Sequence, residues 1–332
     1  MQISVLGAGS WGSALSIAFA KVCNVTLWSH NEAQVEEINL YRTNQHYLPK
    51  EVIFANNIEC TYSFDSALDA DLIIVATPLN AIRGILTKIK EKKEKLPNIL
   101  FVSKGFEANT GKLPHQIIED VLPEFYDYGL LIGPSFAKEV AFGLPTAITL
   151  VSPNLEFAVK WMKDLQGIPN FRIYAHDDVI GSEVGAAIKN VLAIAVGLSD
   201  GLSLGFNARA ALITRSLNEL SSLVIALGGR RETIYGLTGI GDLILTCTGD
   251  LSRNRQVGQE LAKGKNINDV VSSLGHVAEG VLTTKEIYKI SQSLKIDMPI
   301  VKCVYKIIYE NANMFEEINS LIARTPKVEF ME

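Results

Sequence analysis

The sequence is poor in cysteine, and its net charge is not basic. Its 332 residues include four cysteines, with no C-x-x-C spacing among them: Cys23, Cys60, Cys247 and Cys303. This usage predicts reduced, mostly buried thiols in a cytoplasmic protein, and the sequence predicts no metal site. A net charge of -5 argues against a general nucleic-acid binder, although a local basic pocket for an anionic substrate remains compatible with it.

Long hydrophobic runs, internal repeats and low-complexity linkers are also missing. The longest apolar run lies near 191–197, between Lys189 and Asp200, and is too short to span a bilayer. The chain has no basic leader, so we expect no signal peptide. The sequence is 48% hydrophobic, which is enough to form full hydrophobic cores. Its length is typical of a protein with about two domains.

The first twenty residues carry the clearest motif. A short apolar run at 2–6 is followed at once by a G-x-G-x-x-G pattern (Gly7, Gly9, Gly12), and 13–20 predicts a helix. In this context Gly7 permits a tight turn, Gly9 lets the backbone approach a pyrophosphate, and Gly12 lets helix and strand pack closely. The helix start then offers N–H groups to phosphates. A glycine turn that merely packs a helix on a sheet is the alternative.

One absence bears on the choice of cofactor. NAD-specific sites place a carboxylate at the end of the second strand, where it binds the ribose hydroxyls. Here the strand predicted at 24–28 is followed by Ser29 and His30, and Glu32 falls late enough to begin the next helix. A missing carboxylate removes a charge that would repel a 2′-phosphate, and His30 could donate to one. The sequence therefore predicts that NADPH is accepted, alongside NADH; an ordinary exposed loop histidine is the alternative.

Strand and helix patterns alternate up to about residue 175. The later strands are predicted at 58–62, 72–77, 98–103, 129–132, 147–151 and 171–174. Lys104 follows one of these strands, and Ser135 follows another as a predicted N-cap whose helix start could hold an anion. The alternation predicts an α/β fold with a Rossmann-like doubly wound, mostly parallel sheet.

Strand patterns stop near residue 179, and an all-α C-terminal domain is predicted. We expect a dinucleotide-binding domain at 1–178 and a helical substrate-binding and catalytic domain at 179–332. The helix predicted at 181–199 is apolar on nearly every side and contains Lys189. A buried lysine needs a partner or a function, and burial can lower its pKa into the range that suits proton transfer. A structural pair with Glu183 is the alternative.

Two further segments carry polar groups suited to binding an anion. The glycine-rich turn at 236–242 delivers the carboxylate of Asp242, and the segment 252–255 combines serine, asparagine and two arginines. Arginine can bind a phosphate bidentately. A helix cap with solvated arginines is the alternative for 252–255.

Together these motifs resemble the soluble NAD(P)-dependent glycerol-3-phosphate dehydrogenases of the bacterial type. Beyond the glycine fingerprint, the resemblance rests on five motifs that follow one another in the same order as in the family and extend over essentially the whole chain. They lie at 103–107, 133–140, 187–190, 239–242 and 252–255. Trp11 and Ser135 depart from the pattern only where the family tolerates exchange with Tyr and Thr.

The resemblance implies a role for individual residues. It implies that Lys189 is the catalytic proton donor and acceptor. The substrate-binding positions it implies are Lys104, Gly133, Ser135, Lys189, Asp242, Ser252, Arg253 and Asn254. The cofactor-binding positions are Gly7, Gly9, Ser10, Trp11, Gly12, His30, Lys104, Ala137, Arg253, Val277 and Glu279.

The implied activity is reversible reduction of dihydroxyacetone phosphate to sn-glycerol 3-phosphate, with NADPH or NADH, for glycerophospholipid synthesis. We expect a small-molecule substrate, no nucleic acid, no membrane span and a homodimer. Two alternatives stay open at this point. One is a β-hydroxyacid dehydrogenase of the same two-domain plan, whose substrate carries a carboxylate, and the other is a dinucleotide sensor without turnover.

Overall fold

The computed structural model describes residues 1–273 and 279–325. The chain forms two compact units. Unit 1 comprises Met1–Ala186 and Leu227–Asp242, and unit 2 comprises Ala187–Ala226 and Leu243–Glu332. Each unit is described separately below.

Unit 1 is built on one sheet. Its strands are β1 (Gln2–Leu6), β2 (Asn24–Trp28), β3 (Ile58–Thr61), β4 (Leu72–Val75), β5 (Asn98–Phe101), β6 (Tyr128–Ile132), β7 (Thr146–Val151) and β8 (Phe171–His176). They lie side by side in the order β3-β2-β1-β4-β5-β6-β7-β8. Every neighbouring pair is parallel except β6 and β7, which are antiparallel.

Helices connect these strands. They are α1 (Ser10–Phe19), α2 (Glu32–Tyr41), α3 (Ile82–Lys92), α4 (Pro114–Val121), α5 (Ala137–Ala141) and α6 (Leu155–Asp164). Apolar residues fill both sides of the sheet, in one cluster that includes Phe19 and Trp161 and another that includes Phe101 and Ile117. All four residues of β4 are fully buried, as expected for a parallel strand covered on both faces.

The strand order fixes where a ligand binds. The chain leaves β1 toward β2 on one side, and β4 pairs with β1 on the other. This reversal creates a crevice at the carboxyl ends of β1 and β4, which is where open α/β sheets bind their ligands. The predicted doubly wound, mostly parallel sheet is confirmed.

Unit 2 is helical throughout the residues that can be described in it. After α7 (Val179–Gly201), which passes from unit 1 into unit 2, the helices are α8 (Phe206–Ala226), α9 (Asp242–Thr248), α10 (Arg253–Ala262), α11 (Ile267–Ser273), α12 (Glu279–Leu294), α13 (Pro299–Tyr309) and α14 (Met314–Ile322). The predicted all-α C-terminal part is confirmed.

Helix α7 is longer than the apolar run that the sequence suggested. Its 23 residues are long and apolar enough to cross a membrane by length and composition, and it is the one such helix in residues 1–273 and 279–325. However, 94% of its most apolar window is buried inside the protein. A helix that is apolar all round and buried in this way is a core helix.

A buried carboxyl group in unit 2 makes a specific pH dependence testable. Glu219 of α8 accepts hydrogen bonds from the N–H groups of Ile300 (2.6 Å) and Val301 (3.1 Å), at the start of α13. Burial nevertheless raises the pKa of this carboxyl from 4.5 to about 7. Between these two values the folded protein holds a proton that the unfolded chain has lost, so the free energy of unfolding falls as pH rises through this window.

We therefore expect Glu219→Gln to gain melting temperature relative to wild type as pH rises from 5 to 8. The amide keeps a hydrogen-bond acceptor and cannot ionise, so it escapes the penalty. Thermal melts across this range test the prediction. Glu316→Gln, at an exposed position of α14, is the control, and a difference for Glu219→Gln that did not change with pH would contradict it.

Candidate active site

The glycine turn lies at the carboxyl end of β1, in unit 1. Gly7 has a φ of +123°, and a Cβ there would stand 2.8 Å from the carbonyl oxygen of Ala76, directly after β4. A Cβ on Gly12 would stand 1.9 Å from the carbonyl oxygen of Gly7. Glycine is therefore required at both positions by the contact between the turn, α1 and β4.

Gly9 differs from these two residues. Its φ of -75° is ordinary, and a Cβ there would meet no protein atom within 4 Å. The protein itself does not require glycine here, whereas a pyrophosphate that packs against the backbone does. Helix α1 begins at the next residue, Ser10, and the N–H groups of its first turn have no acceptor within the helix. The turn therefore fits the diphosphate of a dinucleotide.

The end of β2 carries no carboxylate. Ser29 is buried and His30 is exposed, while Glu32 is the first residue of α2, with Asn31 as its N-cap. The prediction that Glu32 begins a helix is confirmed. His30 lies 6.4 Å from Trp28 between ring centroids, and its exposed position is compatible with both a 2′-phosphate contact and an ordinary loop residue.

Three of the predicted substrate residues meet in unit 1. The Nζ of Lys104 lies 3.1 Å from Oδ2 of Asp242 and 3.5 Å from the carbonyl oxygen of Gly133. Lys104 follows β5 and Gly133 follows β6, so both stand at the carboxyl edge of the sheet. The side chain of Asp242 is 1% exposed and that of Lys104 is 15% exposed. A fixed cationic amine at this edge suits an anionic or carbonyl-bearing substrate.

A π-helical turn delivers Asp242. It spans Leu237–Gly241 and leads directly into α9. A Cβ on Gly239 would stand 2.2 Å from the carbonyl oxygen of Ile234, and one on Gly185 of α7 would stand 2.6 Å from that of Thr238. The glycine-rich sequence predicted a turn here but not its π geometry, which depends on this close approach to α7. Turns of this type are frequent at functional sites.

The predicted N-cap role of Ser135 is wrong. The N-cap of α5 is Phe136, which makes no side-chain capping bond, and α5 has only five residues. The hydroxyl of Ser135 instead donates to the carbonyl oxygen of Gly133, at 3.0 Å. A helix this short provides no substantial dipole for an anion. Ser135 and Ala137 remain partly exposed beside Gly133.

A second group of contacts lies in unit 2 and is centred on the predicted residue Asn254. Nδ2 of Asn254 lies 3.0 Å from Oδ1 of Asn190, and the N–H of Gly280 donates to Oδ1 of Asn254 at 3.1 Å. Asn190 is the neighbour of Lys189 on α7, and Gly280 is the neighbour of Glu279 on α12. These contacts therefore bring together the part of α7 that contains Lys189, the start of α10 and the start of α12.

The segment 252–255 matches the predicted cap in part. The side chain of Ser252 is the N-cap of α10 and accepts from the N–H of Arg255 at 3.3 Å. Arg253 is exposed. Arg255 is not a solvated arginine, because it is buried and its guanidinium binds Asp200 at 2.7 Å and Asp250 at 2.8 Å. Arg253 is therefore the arginine of this pair that is accessible to a ligand.

Lys189 is 6% exposed within α7, so its predicted burial is confirmed. Glu183, the carboxylate considered as its structural partner, binds His115 through both oxygens: one accepts from the backbone N–H at 2.9 Å and the other contacts Nδ1. Burial alone would lower the pKa of His115, but the bond to Glu183 and its charge raise it. Glu279 is exposed, and Val277 lies outside the described residues.

An open groove of about 870 Å³ lies elsewhere in unit 1. Its lining includes Met1, Asp71 and Asn98, which stand at the amino ends of β1, β4 and β5. It contains none of the predicted site residues. Since α/β sheets bind their ligands at the carboxyl ends of the strands, we assign the candidate site to that edge.

A doubly wound sheet with a glycine turn at its switch point is typical of dinucleotide-dependent oxidoreductases, and here a helical unit with a buried lysine follows it. Residues 2–158 match the family model for the N-terminus of NAD-dependent glycerol-3-phosphate dehydrogenase, and residues 178–319 match the model for its C-terminus. The chain belongs to this family.

Individual relatives extend over the full length of the chain. The glycerol-3-phosphate dehydrogenase (NAD(P)+) of Thiobacillus denitrificans is 46% identical over 331 residues, covering 99% of this chain and 100% of the relative. That of Nitrosomonas eutropha is 47% identical over 330 residues, covering 99% of each. The crystal structure of glycerol-3-phosphate dehydrogenase from Coxiella burnetii is similar with a TM-score of 0.91 and 37% identity, covering 97% of this chain and 99% of that one.

Proposed function

We propose that this protein catalyses the reversible reduction of dihydroxyacetone phosphate to sn-glycerol 3-phosphate with NADPH or NADH. The observation that carries the proposal is the 46% identity to a glycerol-3-phosphate dehydrogenase (NAD(P)+) over essentially the whole chain. We assign dinucleotide binding to residues 1–178, and substrate binding and catalysis to 179–332. The product is a precursor of glycerophospholipids.

The proposed mechanism rests on Lys189. When bound, the reduced nicotinamide supplies a hydride to the C2 carbonyl carbon of the substrate. The oxygen must then gain a proton, which Lys189 donates, and in the reverse direction the neutral amine accepts it. The cationic form also stabilises negative charge that develops on the oxygen. Asp242 lies 3.1 Å from Nζ of Lys104, and this contact supports a role of its carboxylate in fixing the Lys104 amine.

Substrate binding is assigned to polar groups of both units. In unit 1 these are Lys104, Gly133, Ser135 and Asp242, and in unit 2 they are Ser252, Arg253 and Asn254. Arg253 and Asn254 would hold the phosphate and so fix the distance between the carbonyl carbon and the nicotinamide. The exposure of Arg253 and the tie between Asn254 and Asn190 support this assignment.

Cofactor binding is assigned mainly to unit 1. The open space at Gly9 and the first turn of α1, with Ser10 and Trp11, fit the diphosphate. His30 is assigned to the 2′-phosphate of NADPH. The remaining proposed contacts are Gly7, Gly12, Lys104, Ala137, Arg253, Val277 and Glu279.

Replacement of Arg253 by alanine is expected to raise the KM for dihydroxyacetone phosphate by a factor of about 10 to 100, the range for loss of hydrogen bonds to a charged group. Steady-state kinetics at saturating cofactor measure it. Arg215→Ala, at an exposed position of α8, is the matched control and should behave as wild type. An unchanged KM in Arg253→Ala would remove this residue from the phosphate site.

An absorbance assay at the reduced nicotinamide band tests the proposed function. We expect loss of absorbance with dihydroxyacetone phosphate and either NADPH or NADH. A strong preference for NADH would contradict the inference from the missing carboxylate. A panel of keto acids in the same assay tests the β-hydroxyacid alternative, and cofactor binding without turnover on any substrate would favour a sensor.

We also propose a cytoplasmic homodimer. Four free cysteines, three of them buried, occur at the positions that the structure describes, and reduced thiols suit that compartment. Sedimentation at working concentration measures the oligomeric state. A single species of monomer mass would overturn the dimer.

A further inference from the structure

Three polar side chains converge on one backbone carbonyl within the glycine turn. The carbonyl oxygen of Ala8, between Gly7 and Gly9, accepts from Nε2 of Gln34 and from Nδ2 of Asn44, each at 2.9 Å. The hydroxyl of Ser13 also points at this oxygen, at 3.5 Å. None of these three side chains belongs to the fingerprint itself.

The donors are themselves held in place. Nδ2 of Asn44 also contacts the hydroxyl of Ser13 at 2.9 Å, and both residues are buried, at 2% and 0% exposure. The hydroxyl of Ser29, at the end of β2, donates to Oε1 of Gln34 at 2.6 Å. The segment after α2 is fixed as well, because the carbonyl of Asn44 accepts from the N–H of Leu48 at 2.9 Å.

The geometry of the peptide unit gives this arrangement a consequence. In a planar trans peptide the C=O of Ala8 and the N–H of Gly9 point in opposite directions. Glycine tolerates a wide range of backbone angles, so the residues of the turn alone do not select one orientation of this peptide. Donors on the Ala8 carbonyl select the orientation in which the Gly9 N–H points away from Gln34 and Asn44.

We propose that Gln34 and Asn44 are positioning residues for the dinucleotide. They hold the Ala8–Gly9 peptide so that its N–H, and not its carbonyl oxygen, faces the pyrophosphate. A flipped peptide would present a partial negative charge to an anion and weaken its binding. The proposal rests on the proposed function, because it assumes that the turn binds a dinucleotide diphosphate.

The test compares Gln34→Met, Asn44→Leu and the double variant, which remove the amide donors with little change in volume. Titration of protein fluorescence with NADPH and with NADH gives the Kd of each, and steady-state kinetics give kcat and KM. The matched control is Gln45→Met, because the exposed amide of Gln45 contacts only Thr43, at 3.4 Å, among the hydrogen bonds found in the described chain. Melting temperatures show whether each variant is folded.

We expect Kd for both cofactors to rise about 3- to 10-fold in each single variant, the range for one hydrogen bond. The double variant should lose less than the product of the two, because both amides act on the same oxygen. At saturating cofactor, kcat and the KM for dihydroxyacetone phosphate should stay within about twofold of wild type. Partly exposed Gln34 allows the test even if Asn44→Leu does not fold.

Unchanged Kd values in folded Gln34→Met and in the double variant would overturn the proposal. So would an equal rise in the KM for dihydroxyacetone phosphate, which indicates general disruption. A wild-type protein that bound neither cofactor would instead refute the proposed function. The binding titration therefore separates the two failures without depending on turnover.

Discussion

Lys189→Ala is expected to lower kcat by a factor of about 10² to 10⁴, the usual scale for loss of a general acid–base group. Hydride addition to the carbonyl leaves an oxygen that must be protonated, and no other residue is assigned to that step. The KM values should change much less, since binding of the phosphate and of the dinucleotide is assigned to other side chains. Stopped-flow or steady-state rates at saturating substrates measure the effect.

Lys302→Ala is the control for this experiment. Lys302 lies on α13, is exposed and belongs to the same unit as Lys189, so its removal should leave kcat unchanged. Melting temperatures of both variants show whether truncation at the buried position has damaged the fold. Near-normal turnover in folded Lys189→Ala would remove this residue from proton transfer and leave the mechanism without its acid.

Gly12→Ala is expected to raise the KM for NADPH and NADH by a factor of about 10 to 100, the range that corresponds to overpacking of a tight contact. A Cβ at this position would stand 1.9 Å from the carbonyl oxygen of Gly7, so α1 must move away from the turn. The movement displaces the N–H groups of the first helical turn from the diphosphate. Fluorescence titration and cofactor KM values measure the loss.

Gly84→Ala is a matched control for this steric argument. Gly84 lies in α3 of the same unit, and a Cβ there would meet nothing within 4 Å. Alanine is also the better helix former, so this variant should be at least as stable as wild type. Equal cofactor affinity in Gly12→Ala and Gly84→Ala would show that close packing at Gly12 does not support binding.

The strands were predictable because they are short, mostly apolar stretches, and β4 is apolar throughout. β1 and β2 have the predicted bounds, and β4 begins at the predicted residue. Strand ends were less accurate: β5 ends at Phe101, two residues early, because the hydroxyl of Ser103 turns to the carbonyl oxygen of Thr77. This bond joins residues 26 positions apart in the chain, so it leaves no trace in hydrophobic periodicity.

The site was only partly predictable, because some of its contacts join residues that are distant in sequence. The glycine turn and the buried lysine carry local patterns, and the structure joins Lys104, Gly133 and Asp242 although they are far apart in sequence. The predicted cap at Ser135 failed because the next residue, Phe136, is the N-cap and α5 begins at Ala137. Gln34 and Asn44 went unrecognised, because an amide in an ordinary helix turn or loop has no motif until the fold brings it to Ala8.

Transfer of deuterium from the cofactor tests the central claim most directly. Dihydroxyacetone phosphate is incubated with the wild-type protein and NADPH labelled at C4 of the nicotinamide, with each of the two faces labelled in separate reactions. The account predicts sn-glycerol 3-phosphate that carries one deuterium at C2 from one of the two labelled cofactors, detected by mass spectrometry. Absence of label from the product in both reactions, or no glycerol 3-phosphate at all, would contradict it.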